Sequence, residues 1–277
     1  LCTCKPRKNF YPPFRRAEKV SRLSQMKLHF VSSHAPEAVQ AAQKLKHTYG
    51  QHPRDDADVI VALGGDGLML ETIHSVVSSG QAIFGMNRGS VGFLMNDFSV
   101  DDLPARIEQA SETVIHPLNM TVTGKDGNAH SALAFNEVSM LRQQHQAAKL
   151  RISIAGKVRQ EELICDGIIV ATPAGSTAYN LSAHGPILPI NSPLLALTPI
   201  SPFRPRRWRG AILSHEAQVR IDMLEADKRP VSAVADQTEF RDVSSVEISE
   251  DASISARLLF DDGHSLAERV LNEQFRF

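Results

Sequence analysis

A chain of 277 residues, 42% of them hydrophobic, is long enough for one large or two ordinary domains with a sizeable buried core. Its 30 Lys and Arg nearly cancel its 31 Asp and Glu, so no net positive field draws it to a polyanion and a nucleic-acid role is disfavoured. Cys2, Cys4 and Cys165 are too few for a disulfide framework, and no apolar run approaches the roughly 18 residues that cross a bilayer, so a cytoplasmic protein with no membrane role is expected.

In chain order, residues 1–25 carry Lys5, Arg7, Lys8, Arg15, Arg16, Lys19 and Arg22 against the single acid Glu18, with Pro6, Pro12 and Pro13 interspersed. Such a stretch lacks the apolar content to fold alone and reads as a disordered basic extension ahead of a true start at Met26, in preference to the alternative of a basic targeting arm. Cys2 and Cys4 lack the two further ligands that a structural zinc site needs. From residue 26 to 112 strand and helix alternate, as a parallel sheet covered by helices requires. A strand at 27–31 leads to a helix from Pro36 to His47, with Ala38, Ala42 and Leu45 on one face. A continuous apolar strand at 58–63 stops at glycines, and a helix follows from Leu68 to Ser79, closed by Gly80. Another strand spans 82–86, and Ser99, Asp101 and Asp102 open a helix carrying Leu103, Ile107 and Ala110.

From 113 to 250 the texture changes to short β runs, at 115–122, 132–141, 150–154, 163–171, 211–213 and 219–223. Lys125-Asp126-Gly127-Asn128 reads as a hairpin turn between the first two. The proline-rich stretch from Pro186 to Arg209 reads as an ordered loop packed on this domain. The fold class is therefore an α/β N-terminal domain with a parallel sheet plus a β-rich C-terminal domain, with 251–277 a C-terminal segment returning to the first domain.

Three features carry chemistry. Gly64-Gly65-Asp66-Gly67 sits where a buried strand meets a helix N-terminus; side-chain-free turns let backbone amides and the helix dipole approach a phosphate. A pure anion cradle has no use for Asp66, whereas a phosphoryl-transfer site needs a proton acceptor. The competing reading is a tight left-handed turn with Asp66 as a helix cap. Asn136-Glu137 interrupts an apolar run; the pair reads either as an exposed strand end or as a grip on vicinal ribose hydroxyls and an adenine edge, with the two side chains pointing apart unless a bulge or strand end re-aims them. The third runs from Cys165-Asp166-Gly167 through Thr172-Pro173-Ala174-Gly175-Ser176-Thr177-Ala178-Tyr179-Asn180-Leu181-Ser182, a strand, a small-residue loop and a helix start, suited to tight packing or to lining a nucleotide groove.

Together with Asn87-Arg88-Gly89-Ser90-Val91-Gly92-Phe93, these motifs in this order resemble the NAD kinase family in its bacterial form, over about residues 26–255. The glycine turn alone is shared with lipid kinases and phosphofructokinases; the Thr-Pro-x-Gly-Ser-Thr-Ala-Tyr run is far more specific. The resemblance implies ATP-dependent phosphorylation of the adenosine ribose 2′-hydroxyl of NAD to give NADP. It implies Asp66 as proton acceptor, with Gly64, Gly65 and Gly67 in the turn. Asn136, Glu137, Asp166, Ala174, Thr177, Ala178, Tyr179, Asn180, Leu181 and Ser182 would contact the dinucleotide, and Gln237 would reach it from the far end of the β domain. It further implies ATP as donor, a divalent cation, Mg2+, carried by the ATP phosphates rather than by a protein metal site, and a homodimer or homotetramer. Three positions depart from the family pattern. Leu68 replaces a frequent Thr, Gln237 a frequent Gly, and Arg88 a commoner Thr, where a solvated surface arginine is expected ahead of a phosphate contact. Two other classes compete: a lipid kinase sharing the glycine turn, and a catalytically silent nucleotide-binding module.

Overall fold

The computed structural model describes residues 26–89, 92–263 and 265–275; the basic extension, Cys2, Cys4, Ser90 and Val91 lie outside the described residues. The chain divides into two compact units. Among the described residues, one comprises 26–69, 81–111 and Leu259–Asp262; the other comprises Leu70–Gly80, Glu112–Leu258 and 263–275.

The first unit is built on β1 (Leu28–Ser32), β2 (Val59–Gly64) and β3 (Ala82–Asn87), paired parallel with Leu28 opposite Val59 and Val59 opposite Ala82. Every residue of β2 is buried, which is why its sequence is apolar without alternation. Helix α1 (Pro36–Tyr49) buries Ala38, Ala41, Ala42 and Leu45 and ends where the Gly50 amide, at φ +80°, bonds the Lys46 carbonyl. Helix α2 starts at Asp66 and runs to Val76, two residues earlier at its start than the apolar period indicates; beyond it the amides of Ser79 and Gly80 both bond the Val76 carbonyl. Helix α3 (Leu103–Gln109) corrects the expected carboxylate cap. Asp102 precedes it at φ +53° and makes no side-chain cap bond among the described residues, because Pro104 removes one of the amides that such a cap would serve. The buried amide of Asn96 donates to the carbonyls of Gly85 and Leu259, and its oxygen accepts from Asp261 N–H, tying the loop after β3 to the end of a late strand, β17 (Ala256–Phe260).

After β4 (Ser111–Ile115), the second unit is a sandwich of two six-stranded antiparallel sheets. One contains β5 (Leu118–Gly124), β6 (Ala129–Ala134), β8 (Ala148–Ile154), β9 (Lys157–Cys165), β13 (Val219–Met223) and β16 (Val243–Glu250). The other contains β7 (Glu137–Arg142), β10 (Gly167–Ala171), β11 (Leu194–Ile200), β12 (Ala211–Ser214), β14 (Val231–Ala235) and β15 (Thr238–Phe240). Leu118, Met120, Val246 and Ile248 of the first sheet share one core with Val138, Met140, Ile168 and Val170 of the second. The hairpin at Lys125–Asn128 forms, with Gly127 at φ +82°.

Two runs that read as single strands are each broken by a crossing from one sheet to the other. The first breaks at Phe135–Asn136, between β6 and β7; the second at Asp166, between β9 and β10. The proline-rich loop is also corrected: it contains β11, a central strand flanked by β10 and β12. Pro199 is tolerated there because Ile200 faces β10, its carbonyl accepting from Asp166 N–H. By alternation Pro199 faces the other edge, past the last β12 pair at Leu197 opposite Ala211. No helix among the described residues is long and apolar enough to cross a membrane.

Candidate functional site

In the first unit, β2 delivers the chain into the Gly64–Gly67 turn, and the Gly65 carbonyl accepts the Met69 amide to start α2. None of these glycines has positive φ, so the left-handed turn is ruled out as their reason. Gly64 is explained by packing: a Cβ there would lie 2.8 Å from Leu68 Cδ2. Gly65 and Gly67 are not, since among the described residues nothing lies within 4 Å of a Cβ at either position. The Asp66 carboxylate is held by the loop after β3. Its Oδ2 accepts from Phe93 N–H at 2.7 Å and its Oδ1 from Leu94 N–H at 2.8 Å, which fixes the carboxylate from the loop side. Gly92 makes room for it, because a Cβ there would be 3.0 Å from Asp66 Oδ1. The Arg88 guanidinium lies 3.4 Å from the Phe98 ring centroid, and its Nε is buried without a hydrogen-bond partner among the described residues.

In the second unit, Asn136 and Glu137 sit at a sheet crossing, Asn136 between β6 and β7 and Glu137 opening β7. A loop opposite buttresses them. Thr172 Oγ1 donates to the Phe135 carbonyl at 2.7 Å, Thr172 N–H to the Asn136 carbonyl at 3.0 Å, and Gly175 passes so close that a Cβ would fall 2.1 Å from Asn136 O. Glu137 is largely enclosed; its Oε2 is buried without a hydrogen-bond partner among the described residues, and burial, reinforced by the nearby Asp236 carboxylate, pushes its pKa up to about 7.

Asp166 stands at the other crossing. Because Gly167 pairs with Leu141 while Ala171 pairs with Glu137, Asp166 lies one residue past the end of the β7–β10 ladder opposite to Glu137, roughly 16 Å from it along the strand direction at about 3.3 Å per residue. They cannot grip one ribose together. Asp166 binds Arg142 Nε at 2.5 Å. Its neighbour Cys165 is buried, which pushes the thiol up to about 12 and leaves it unreactive.

The segment after Thr172 forms a 3-10 turn, Ala174–Thr177, and a single helical turn, α4 (Tyr179–Ser182). Tyr179 is exposed, and its phenol is raised by partial burial and then by the Glu137 and Asp166 carboxylates, so it senses both ends of the ladder. Thr177, Ala178 and Leu181 are half-buried and Ser182 is exposed. Asn180 is different. It is 0% exposed, its amide donates to the carbonyls of Ser176 and Pro186, and its oxygen accepts from Thr198, so it braces the loop from within. Ala174 lines a cleft of about 320 Å³ with Thr172, Pro173, Ile190, His215 and Glu250. Gln237 is exposed on the two-residue turn between β14 and β15.

The residue that sequence reasoning passed over is the one before it. Asp236, 0% exposed at its side chain, accepts from the backbone amides of Phe135 at 2.7 Å, Asn136 at 3.0 Å and Glu137 at 3.3 Å, and from His74 Nε2 at 2.8 Å. An acid ending the apolar run Val231–Ala235 was the available signal; nothing in the sequence points to His74.

Against known proteins, residues 13–117 match the model of the ATP-NAD kinase N-terminal domain, and residues 135–257 that of the ATP-NAD kinase C-terminal domain. The NAD kinase of Caulobacter vibrioides is 61% identical over 249 residues, covering 90% of this chain and 96% of that protein. The NAD kinase of Rhizobium meliloti is 57% identical over 248 residues, with the same coverages of 90% and 96%. Two solved structures share the fold. Yeast NADH kinase complexed with NADH has TM-score 0.75 at 22% identity, over 90% of this chain and 86% of that one. An NAD kinase from Archaeoglobus fulgidus in complex with ATP has TM-score 0.71 at 23% identity, over 89% and 99%.

Proposed function

The chain belongs to the NAD kinase family, and on that premise we propose that Asp66 accepts the proton of the adenosine ribose 2′-hydroxyl as its oxygen attacks the γ-phosphorus of ATP. The activity is phosphoryl transfer from ATP to NAD, giving NADP, and family membership sets aside the lipid-kinase and silent-module readings. In the transfer, the new O–P bond forms as the bond to the ADP oxygen breaks, ADP leaves, and the hydroxyl proton passes to the Asp66 carboxylate.

The observation that carries this reading is the pairing of a fixed carboxylate with two glycines that the fold does not require. Neither φ nor packing asks for Gly65 or Gly67. Their missing side chains keep open the approach to the helix N-terminus, where amides favour phosphate. The two loop amides hold Asp66 in one orientation, so no reorganisation is needed as the proton moves.

Asn136 and Glu137 hold the ribose hydroxyls and adenine edge, supported by the orphaned Glu137 Oε2, an acceptor waiting for a hydroxyl donor. Asp166 contacts the dinucleotide a strand's length away, and Thr177, Ala178, Tyr179 and Ser182 line the path between. Asn180 supports that path from beneath, and Gln237 closes its rim. Mg2+ enters with ATP, held through its phosphates. Such an ion neutralises phosphate charge. The protein acts in the cytoplasm as a homodimer or homotetramer; the exposed Phe203, Ile212 and Val158 supply apolar surface for self-association.

Asp66→Asn is the test. Turnover to NADP should fall about 10²- to 10⁴-fold, with the NAD dissociation constant changed only a few-fold. A variant that turned over at the wild-type rate would remove Asp66 from the role.

A further inference from the structure

The His74–Asp236 pair has no place in the reaction described above. Asp236 occupies a turn position with φ +49°, and its side chain is wholly enclosed. An ionised carboxylate offers about four acceptor positions. The amides of Phe135, Asn136 and Glu137 fill three, and His74 Nε2 fills the fourth. Since a carboxylate only accepts, the Nε2 of His74 carries the proton. The same imidazole meets the Phe135 ring edge-on, with centroids 5.3 Å apart, so it presses on the turn that it also anchors.

From this geometry we infer that His74 is a positioning residue for NAD recognition, acting through Asp236 on the Phe135–Glu137 turn; the inference rests on Asn136 and Glu137 holding the coenzyme. The physical reason is compensation. Without the imidazole, one acceptor position of a buried carboxylate goes unmet, and its charge bears more strongly on Glu137, whose Oε2 has no partner among the described residues. The turn then loses the one orientation that aims Asn136 and Glu137. That loss falls on ground-state binding of NAD, because His74 touches neither the phosphates nor the proton in flight.

The test is steady-state kinetics of the full chain, with NAD and ATP each varied. For His74→Ala, KM for NAD should rise about tenfold while KM for ATP and kcat stay within about twofold. His74→Gln should restore KM to within about threefold of wild type, because its terminal amide nitrogen sits where Nε2 does. His74→Asn, one methylene short, should resemble His74→Ala. Combined with Glu137→Gln, His74→Ala should add little beyond the larger single effect, since both act through one turn. An unmoved KM for NAD, an equal loss toward both substrates, or full additivity overturns the inference. Should His74→Ala fail to fold, the Gln and Asn variants decide, and equal KM values for NAD in those two would overturn it. Glu137→Gln without effect on KM for NAD removes the reading on which the inference rests; Glu137→Gln with a raised KM beside an unmoved His74→Ala removes the inference alone.

Discussion

The glycine turn and the Asp236 corner are both polar clusters around one aspartate held by backbone amides, yet they are assembled by opposite routes. At the turn, strand, glycines, Asp66 and helix follow one another within residues 59–76, and a single loop supplies the two amides. At the corner, Asp236 binds residues 99 to 162 positions away in sequence, and the side chain is completely enclosed. The aspartate proposed for chemistry is half-buried, whereas the one in the corner is walled in and saturated with donors. Each aspartate should therefore fail in its own way when replaced.

The largest effect is expected at Asp66→Asn, where turnover falls by orders of magnitude. Its denaturant midpoint should barely move, because the carboxylate is only half-buried; a large loss of stability would mean that Asp66 is architectural after all. Asp236→Ala should reverse the pattern. Three partly buried amides lose their acceptor at once, so stability should drop by about 3 kcal/mol, read from denaturant unfolding with an unchanged slope. A midpoint close to wild type would dissolve the contrast between the two sites.

A smaller effect follows from Glu137. Its pKa is raised from 4.5 to about 7 by burial and by Asp236. If the ionised form accepts the ribose hydroxyls, NAD binding costs a proton below that value and none above it. The NAD dissociation constant should thus rise by up to about tenfold per pH unit as pH falls below 7, and level off above. Glu137→Gln should flatten this profile in calorimetric titrations; a profile unchanged in Glu137→Gln would assign the proton elsewhere. The smallest shift is also the most discriminating for the turn. Gly67→Ala places a methyl in open space on a helix, so it should hold or raise stability by up to about 1 kcal/mol while lowering kcat/KM. Gain of stability with full activity would mean that no ligand needs that space.

Much of this protein was written in local sequence. The continuous apolar run at 58–63 announced a fully buried parallel strand, and the spacing of Met69, Ile73 and Val76 announced α2. Such signals are legible because covalent neighbours meet with period 2 or 3.6 whatever the rest of the chain does. The motif run around Thr172–Ser182 likewise located its loop, although not the inward turn of Asn180, which depends on Ser176, Pro186 and Thr198 closing around it.

What lay beyond the sequence has a common cause. Asn136 and Asp166 owe their positions to chain crossings between two sheets, Pro199 survives in a central strand because β12 ends before it, and His74 meets Asp236 across 162 residues. Periodicity registers which face a residue presents, but carries no record of which distant strand stops, crosses or pairs beside it. Those choices are made only when the whole sandwich buries its core and every enclosed amide must find an acceptor.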